Sequence, residues 1–542
     1  MDRRGAMIHG GFLIAFWAVL SVALLSKGGL FVARHEGDTI HLVDMVVRQA
    51  AGEWAHLDYM TPIGWLATAP LSLFVAAGWG FGMAMLAAQV LVGALLLPAI
   101  WWVGASRLST GWAMLFGAIC LSLVLALVHG EAQSAASTSM HYNRWAWAAA
   151  FLAIACVLLP PVNRQGEGAD GLVIGLAVAA MALIKATYVV AFLPVIVLAL
   201  LLERRWRALR VALVAGLAVV VVLTGLAGPR FWAAYASDLL SVTRSTARPQ
   251  PGLDLASVIA APAYLGASLA AVVAVVLLRQ AGRAREGLLL LLLVPGFIYV
   301  SYQNFGNDPQ WLLLLGVMLF ALRPAPGTVN GLGWDMWQAL SLTGCAVFML
   351  TLSTAVNLAF SPFAHLSLSR AEYEPMFPRS AQHGDIHVLR LRNDRIVGSV
   401  VLSARIGAAA DEGEEPAALL GETLPECTLT GGAVTRFDAI ARDLEAAGFA
   451  GIAPFGADLL TSYWLFGDLR RLEGGAPWRY VGLPGIAAAS HLLVPLCPQS
   501  RRARRAVLAE IGAAGYGLRE VHRNGAYILL ELQPPDMAPS AR

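Results

Sequence analysis

Charge is what this sequence has least of. Asp, Glu, Lys and Arg make up 13% of its 542 residues and apolar types 58%, where a soluble domain carries ~25% charged and ~45–50% apolar residues. That shortage excludes a soluble enzyme, a disordered chain and a nucleic-acid binder working through a basic surface, and the net charge of +3 names no partner. Lysine is almost missing: of 38 basic residues only Lys27 and Lys185 are lysines. Cysteine is scarce as well, and five are too few for a disulfide scaffold. Cys120, Cys156 and Cys345 lie in apolar runs and read as packing residues. Cys427 and Cys497 lie in a polar tail, where a non-cytoplasmic location would let them pair.

The sequence is rich in apolar runs long enough to cross a bilayer, for which about 20 residues suffice. Eleven are expected, at 8–33, 81–105, 110–128, 141–161, 171–186, 187–203, 210–228, 257–279, 286–303, 308–324 and 336–358. The first follows Met1-Asp-Arg-Arg with no small-residue cleavage site before Arg34, so it reads as a retained span and not a signal peptide. Arginine-rich loops at 204–210 and 279–285, with Arg107, Arg164 and Arg323, are placed in the cytoplasm by the positive-inside rule. With the N-terminus also inside, that alternation needs residues 62–105 to cross once. The short, Pro-bounded stretch 62–78 is then an interfacial helix on the outer leaflet, and the C-terminus lies outside.

This arrangement sorts the scarce charges. Acids, histidines and a few cations fall in outer segments 34–61, 129–141, 185–188, 229–256 and 303–308, among them Arg230, Arg244, Arg248 and Asp308, the last beside the amide of Asn307. The first outer loop carries Glu36-Gly-Asp38 and then His56-Leu-Asp-Tyr-Met-Thr-Pro-Ile-Gly64. A carboxylate there can serve as general base to an acceptor hydroxyl, bind a cation, or belong to an ordinary hydrated loop. Lys185, between two apolar stretches, suits a phosphate or snorkels to the interface. Arg144 in His141-Tyr-Asn-Arg144 is a second phosphate candidate or an interface anchor. Gln303 and Asn304 offer amides to a sugar.

From Ser361 the composition turns to mixed charge with alternating strands, and residues 361–542 read as a compact α/β domain. Ile386–Leu391 and Ile396–Leu402 suggest a hairpin, Val434–Phe449 and Arg501–Gly515 helices, and Leu518–His522 with Ala526–Leu532 a hairpin turned at Asn524-Gly525. The tail shows no nucleotide loop, metal spacing or nucleophile motif, and its plain reading is a structural or acceptor-docking module.

Residues 1–360 resemble the GT-C fold glycosyltransferases, which use polyprenyl-phosphate-linked sugars. Glu36-Gly-Asp38 is similar to their acidic first-loop motif, 56–64 with the helix after it to the Pro-containing second element, and Gly175–Tyr188 to a glycine-rich span ending in a lysine at the outer face. The acid pair is here split by Gly37, and the double proline of the aminoarabinose-transferase branch is Thr61-Pro62. The resemblance implies a polytopic α-helical membrane protein of about eleven spans with a C-terminal α/β soluble domain. It implies inverting transfer of a sugar from a polyprenyl-phosphate donor to an envelope glycan, lipid or protein acceptor. Asp38 would be the catalytic carboxylate, with Glu36 and Asp58 as partner acids that position the acceptor or a divalent cation. Lys185 and Arg144 would hold the donor phosphate, with His56, Tyr59, His141, Tyr142, Asn143, Arg230, Gln303 and Asn304 completing the substrate-binding set. Heavy use of Arg, Ala and Gly points to a GC-rich bacterial genome, hence to an inner membrane with the tail in the periplasm. A transporter or flippase of an anionic lipid, and a non-catalytic scaffold displaying the tail, are the alternatives.

Overall fold

The computed structural model describes residues 1–139, 141–162, 166–245, 254–304, 308–400 and 416–535. Arg164, Arg248, Asn307 and the last two residues of the expected strand 396–402 lie outside these segments.

The first two thirds are helical: α1 (Arg3–Leu25), α2 (Glu36–Ala50), α3 (Ala69–Ala76), α4 (Phe81–Arg107), α5 (Thr110–Leu125), α6 (Tyr142–Leu158), α7 (Glu167–Ile184), α8 (Ala186–Leu202), α9 (Trp206–Ala227), α10 (Arg230–Thr243), α11 (Leu255–Ala260), α12 (Pro262–Gln280), α13 (Ala284–Gln303), α14 (Trp311–Ala321) and α15 (Met336–Leu366). Seven of them, α1, α4, α7, α9, α12, α13 and α15, are long and apolar enough to cross a membrane. Four shorter apolar helices, α5, α6, α8 and α14, coincide with the other expected spans. In the 62–78 stretch lie a 3-10 turn at Trp65–Ala67 and α3, whose eight residues rise only about 12 Å at 1.5 Å each, well short of a ~30 Å hydrocarbon core.

The helix ends gather at two poles. At one, Arg107 and Arg205 converge on the buried Asp170, both guanidinium groups also donate to the carbonyl of Cys156, and Trp102 Nε1 donates to Asp170 Oδ1 at 2.8 Å. Two buried cations around one anion hold only while all partners are present. At the other pole sits the tail.

Its strands are β1 (Leu30–Val32, from the N-terminal part), β2 (Tyr373–Pro375), β3 (Ile386–Leu389), β4 (Val397–Val400), β5 (Ala418–Leu419), β6 (Glu422–Thr423), β7 (Cys427–Gly431), β8 (Pro454–Gly456), β9 (His491–Pro495), β10 (Gly517–Arg523) and β11 (Tyr527–Gln533); its helices are α16 (Arg390–Asn393), α17 (Ala433–Ala446) and α18 (Arg501–Ala513). The main sheet runs β10-β11-β9-β8, with β8 parallel to β9 and the rest antiparallel. Its residues alternate as strand geometry demands. Leu492, Val494, Ile528 and Leu530 pack with Val507 and Ile511 of α18, while Leu493, Tyr527 and Leu529 join the core that holds Phe437, Ile440 and Leu444 of α17. The Asn524-Gly525 hairpin forms, Asn524 Oδ1 accepting from the amides of Ala526 and Tyr527. Cys427 and Cys497 are disulfide-bonded.

The expected hairpin of 386–391 with 396–402 does not form. Residues 390–393 coil into α16, β4 pairs with β7, and β3 pairs in parallel with β1 at Leu30–Ile386 through Val32–Val388. The reason is that β1 needs a partner for its buried backbone. Asp385 secures the joint: its carbonyl accepts from Leu30 N, and its carboxylate accepts from Gly82 N and Met83 N (3.0 and 2.7 Å), capping the start of α4.

Candidate functional site

The expected first outer loop, 34–61, is helical over more than half its length. Residues 36–50 form α2, entered through His35 in the left-handed region (φ 61°), a conformation uncommon outside glycine and worth notice where chemistry is expected. The helix decides which acid faces where. Positions two apart on a helix point about 200° from one another, so Glu36 and Asp38 part company. Asp38, His41, Leu42 and Met45, at i, i+3, i+4 and i+7, share one face and line a cavity of about 1030 Å³. Glu36 turns to the tail and pairs with Arg392 at 2.8 Å. Asp44 accepts from Arg48 Nε (2.6 Å) and from the tail's Trp464 Nε1 (2.9 Å).

The cavity collects residues from distant parts of the chain. The segment between α5 and α6 brings His129, Glu131, Gln133 and Thr138, and α6 opens with Tyr142. Lys185 stands in extended conformation between α7 and α8 (φ −157°, ψ 108°). Its ammonium donates to Asn304 Oδ1, while Asn304 Nδ2 contacts Tyr188 OH at 3.4 Å and that hydroxyl donates to Asn143 O at 3.1 Å. Lys185 is thus held from behind by three buried groups. Gln303 ends α13 at the rim, and Asp308 adds a carboxylate that accepts from Thr354 Oγ1 at 2.8 Å. The side is apolar: Val190 of α8 and Tyr299 of α13 line the cavity while 68% and 43% exposed on the bundle's flank.

Of the residues singled out from sequence, Asp38, Lys185, Tyr142 and Gln303 meet in this cavity. The others do not. Asp58 is exposed and caps its own turn, accepting from Trp54 N at 2.6 Å. His56 is buried against Tyr235 and Phe231, with Nδ1 2.9 Å from Asp238 Oδ2. Tyr59 is buried beneath the Arg48 guanidinium, and His141 is buried with Nε2 3.2 Å from Ala67 O. Arg230 lies exposed at the start of α10. Arg144, Asn143 and Asn304 line a narrow buried recess behind the cavity, which shares His129 and Asp308 with it. There Arg144 donates to Ala126 O at 2.7 Å and lies 3.3 Å from His129 Nδ1. Burial, and then this guanidinium, hold His129 well below the usual histidine range, so its neutral ring can accept from Arg144.

No protein-family model, curated protein or solved structure matches this chain.

Sequence reasoning placed Glu131, Asp308, His35, His41 and His129 on the outer side without assigning them to a site, and passed over Trp478 and Tyr480 of the tail, which also line the cavity. The only signal for the aromatic pair is its i, i+2 spacing. No group of three or more His, Cys, Asp or Glu is arranged to hold a metal ion among the described residues. Three carboxylates (Asp38, Glu131 and Asp308), two cations (Arg34 and Lys185) and several hydroxyl and amide groups around a chamber with one apolar side are suited to group transfer on an amphiphilic anion.

Proposed function

We propose that the chain is a membrane glycosyltransferase of GT-C type, which moves a sugar from a polyprenyl-phosphate donor to an envelope acceptor with inversion. The observation that carries this reading is that Asp38 and Lys185 line one cavity whose flank, at Val190 and Tyr299, opens on the apolar surface of the bundle. The prenyl chain lies along α8 and α13, and the phosphate meets Lys185 at the helix junction. The acceptor hydroxyl gives its proton to Asp38 as its oxygen attacks the anomeric carbon. The bond from that carbon to the phosphate oxygen breaks, and polyprenyl phosphate leaves with its new charge beside the Lys185 ammonium. On this reading the tail is periplasmic and the arginine pole cytoplasmic in a bacterial inner membrane.

Transport is less well supported. Asp170 and Glu286, the buried acids of the long helices, sit in first turns, and Arg107 in a last turn, whereas transporters place such groups on broken helices near the midplane.

The test is a strain lacking the protein, complemented with wild type, Asp38→Asn or Asp58→Ala, with lipid-linked sugars and envelope glycans read by mass spectrometry. Asp38→Asn should behave like the deletion, with donor accumulating and transfer down at least 100-fold, the lower range for a general base. Asp58→Ala should restore transfer, because the Asp58 side chain only caps a turn and its carbonyl is kept. Full restoration by Asp38→Asn would sink the mechanism.

A further inference from the structure

The tail reaches into the cavity with one short segment built to do so. Leu460 bridges to Trp478, so the chain around 478 is extended, and alternate side chains leave it on opposite sides. Arg479 points into the tail: its amide donates to Leu459 O (2.8 Å), its Nε to Gly482 O (3.0 Å) and its Nη2 to Glu510 Oε2 (2.7 Å). Trp478 and Tyr480, on either side of it, both face the cavity. The segment is fixed to the first outer region by two backbone bonds, Gly474 N to Asp58 O and Met60 N to Gly475 O, each 3.1 Å. Arg471 adds an ion pair with Glu53 at 2.8 Å. Trp478 lies over His41 with ring centroids 5.4 Å apart, and His41 is one helical turn from Asp38 on the same face of α2. An aromatic pair is thereby held against the α2 face that carries the carboxylate, in a chamber whose other lining mixes polar groups with apolar ones such as Leu42, Met45 and Val190.

We infer that Trp478 and Tyr480 form the stacking wall for the ring of the transferred sugar, so that the tail domain supplies part of the donor site. This deepens the proposed glycosyltransferase reading and rests on it. A sugar presents an apolar C–H face and a rim of hydroxyls, and a rigid aromatic surface recognises the face while polar groups such as Gln303 and Thr138 take the rim. The prenyl phosphate alone engages Lys185 and the α8–α13 flank and does not touch this wall.

Binding of full-length protein to farnesyl phosphate, and to farnesyl phosphate esterified with mannose, glucose, galactose or arabinose, separates the two parts. The wild type should bind at least one ester more tightly than bare farnesyl phosphate. Trp478→Ala and Tyr480→Ala should each weaken that ester about tenfold and leave the bare phosphate unchanged; Trp478→Phe should keep most of the affinity. Ester affinity unchanged in both alanine variants would overturn the stacking wall, and so would an equal loss for ester and bare phosphate. A wild type that prefers no ester overturns it too. The complementation with Asp38→Asn reads the underlying transfer reaction separately, so the two failures are distinguishable.

Discussion

His129, half-buried at the cavity wall, shows how a single residue ties the stability of the fold to pH. Its ring lies between the cavity and the recess, with Arg144, His141 and His35 as charged or titratable neighbours that oppose its protonation. Its pKa in the fold is depressed, whereas in the unfolded chain it titrates near 6.5. The unfolded state therefore binds the extra proton first. The stability contributed by neutral His129 is complete above about pH 6.5 and is lost as the pH falls below it, by up to ~1.4 kcal/mol per pH unit. Thermal unfolding of the detergent-solubilised protein between pH 5 and 7 should show that decline, and His129→Gln should flatten it by one proton's worth. An unchanged slope in the variant would assign the decline to other groups. Arg144 illustrates the opposite lesson. Its position at the start of an expected span suggested a phosphate ligand, but helix phase turns it into the recess, where it lies against His129 and does not line the cavity.

At the scale of elements, the apolar spans could be read because composition alone marks them. α2 could not, and the cause is physical. It is buried on nearly every side, against the tail as well as the bundle, so its acids and arginine are satisfied by partners far along the chain, Glu36 by Arg392 and Asp44 by Trp464. No local pattern records such partners, and a polar stretch after a span then reads as loop. The same holds for β3, whose partner β1 lies more than 350 residues away. The tail's α17, α18 and the Asn524-Gly525 hairpin rest on local periodicity and turn chemistry, and these were legible. The junction that positions Lys185 gives a sharp prediction. Gly64 N donates to Ile184 O at 3.1 Å, and a Cβ on Gly64 would fall 2.1 Å from Leu183 O and 2.4 Å from its carbonyl carbon. Backbone cannot swing aside as a side-chain tip does, so Gly64→Ala must displace the end of α7. The cost should be about 1–3 kcal/mol, and because Lys185 follows directly, farnesyl phosphate should bind more weakly as well. Wild-type melting and affinity in Gly64→Ala would show that α7 yields freely there.

For the whole molecule the question is whether tail and bundle act as one body. The joint is broad: strand β1 against β3, the Asp385 cap on α4, three side-chain links from Arg392, Trp464 and Arg471, and the backbone bonds at Gly474 and Gly475. A scaffold that merely displays its tail needs none of the contacts that carry Trp478 and Tyr480 into the cavity. The disulfide offers a way to perturb the tail without altering the cavity lining, since Cys427 of β7 and Cys497 after β9 are not among the residues that line it. Closing a loop of 70 residues stabilises by roughly 4 kcal/mol in the chain-entropy picture. The Cys427→Ser, Cys497→Ser double variant should therefore melt well below the wild type, with the early transition confined to the tail by limited proteolysis. As temperature approaches that transition, affinity for the preferred farnesyl phosphate sugar should fall while bare farnesyl phosphate still binds, because in the proposed site only the sugar leans on the tail. Sugar affinity that survives melting of the tail would make the bundle sufficient by itself and return the tail to a display role.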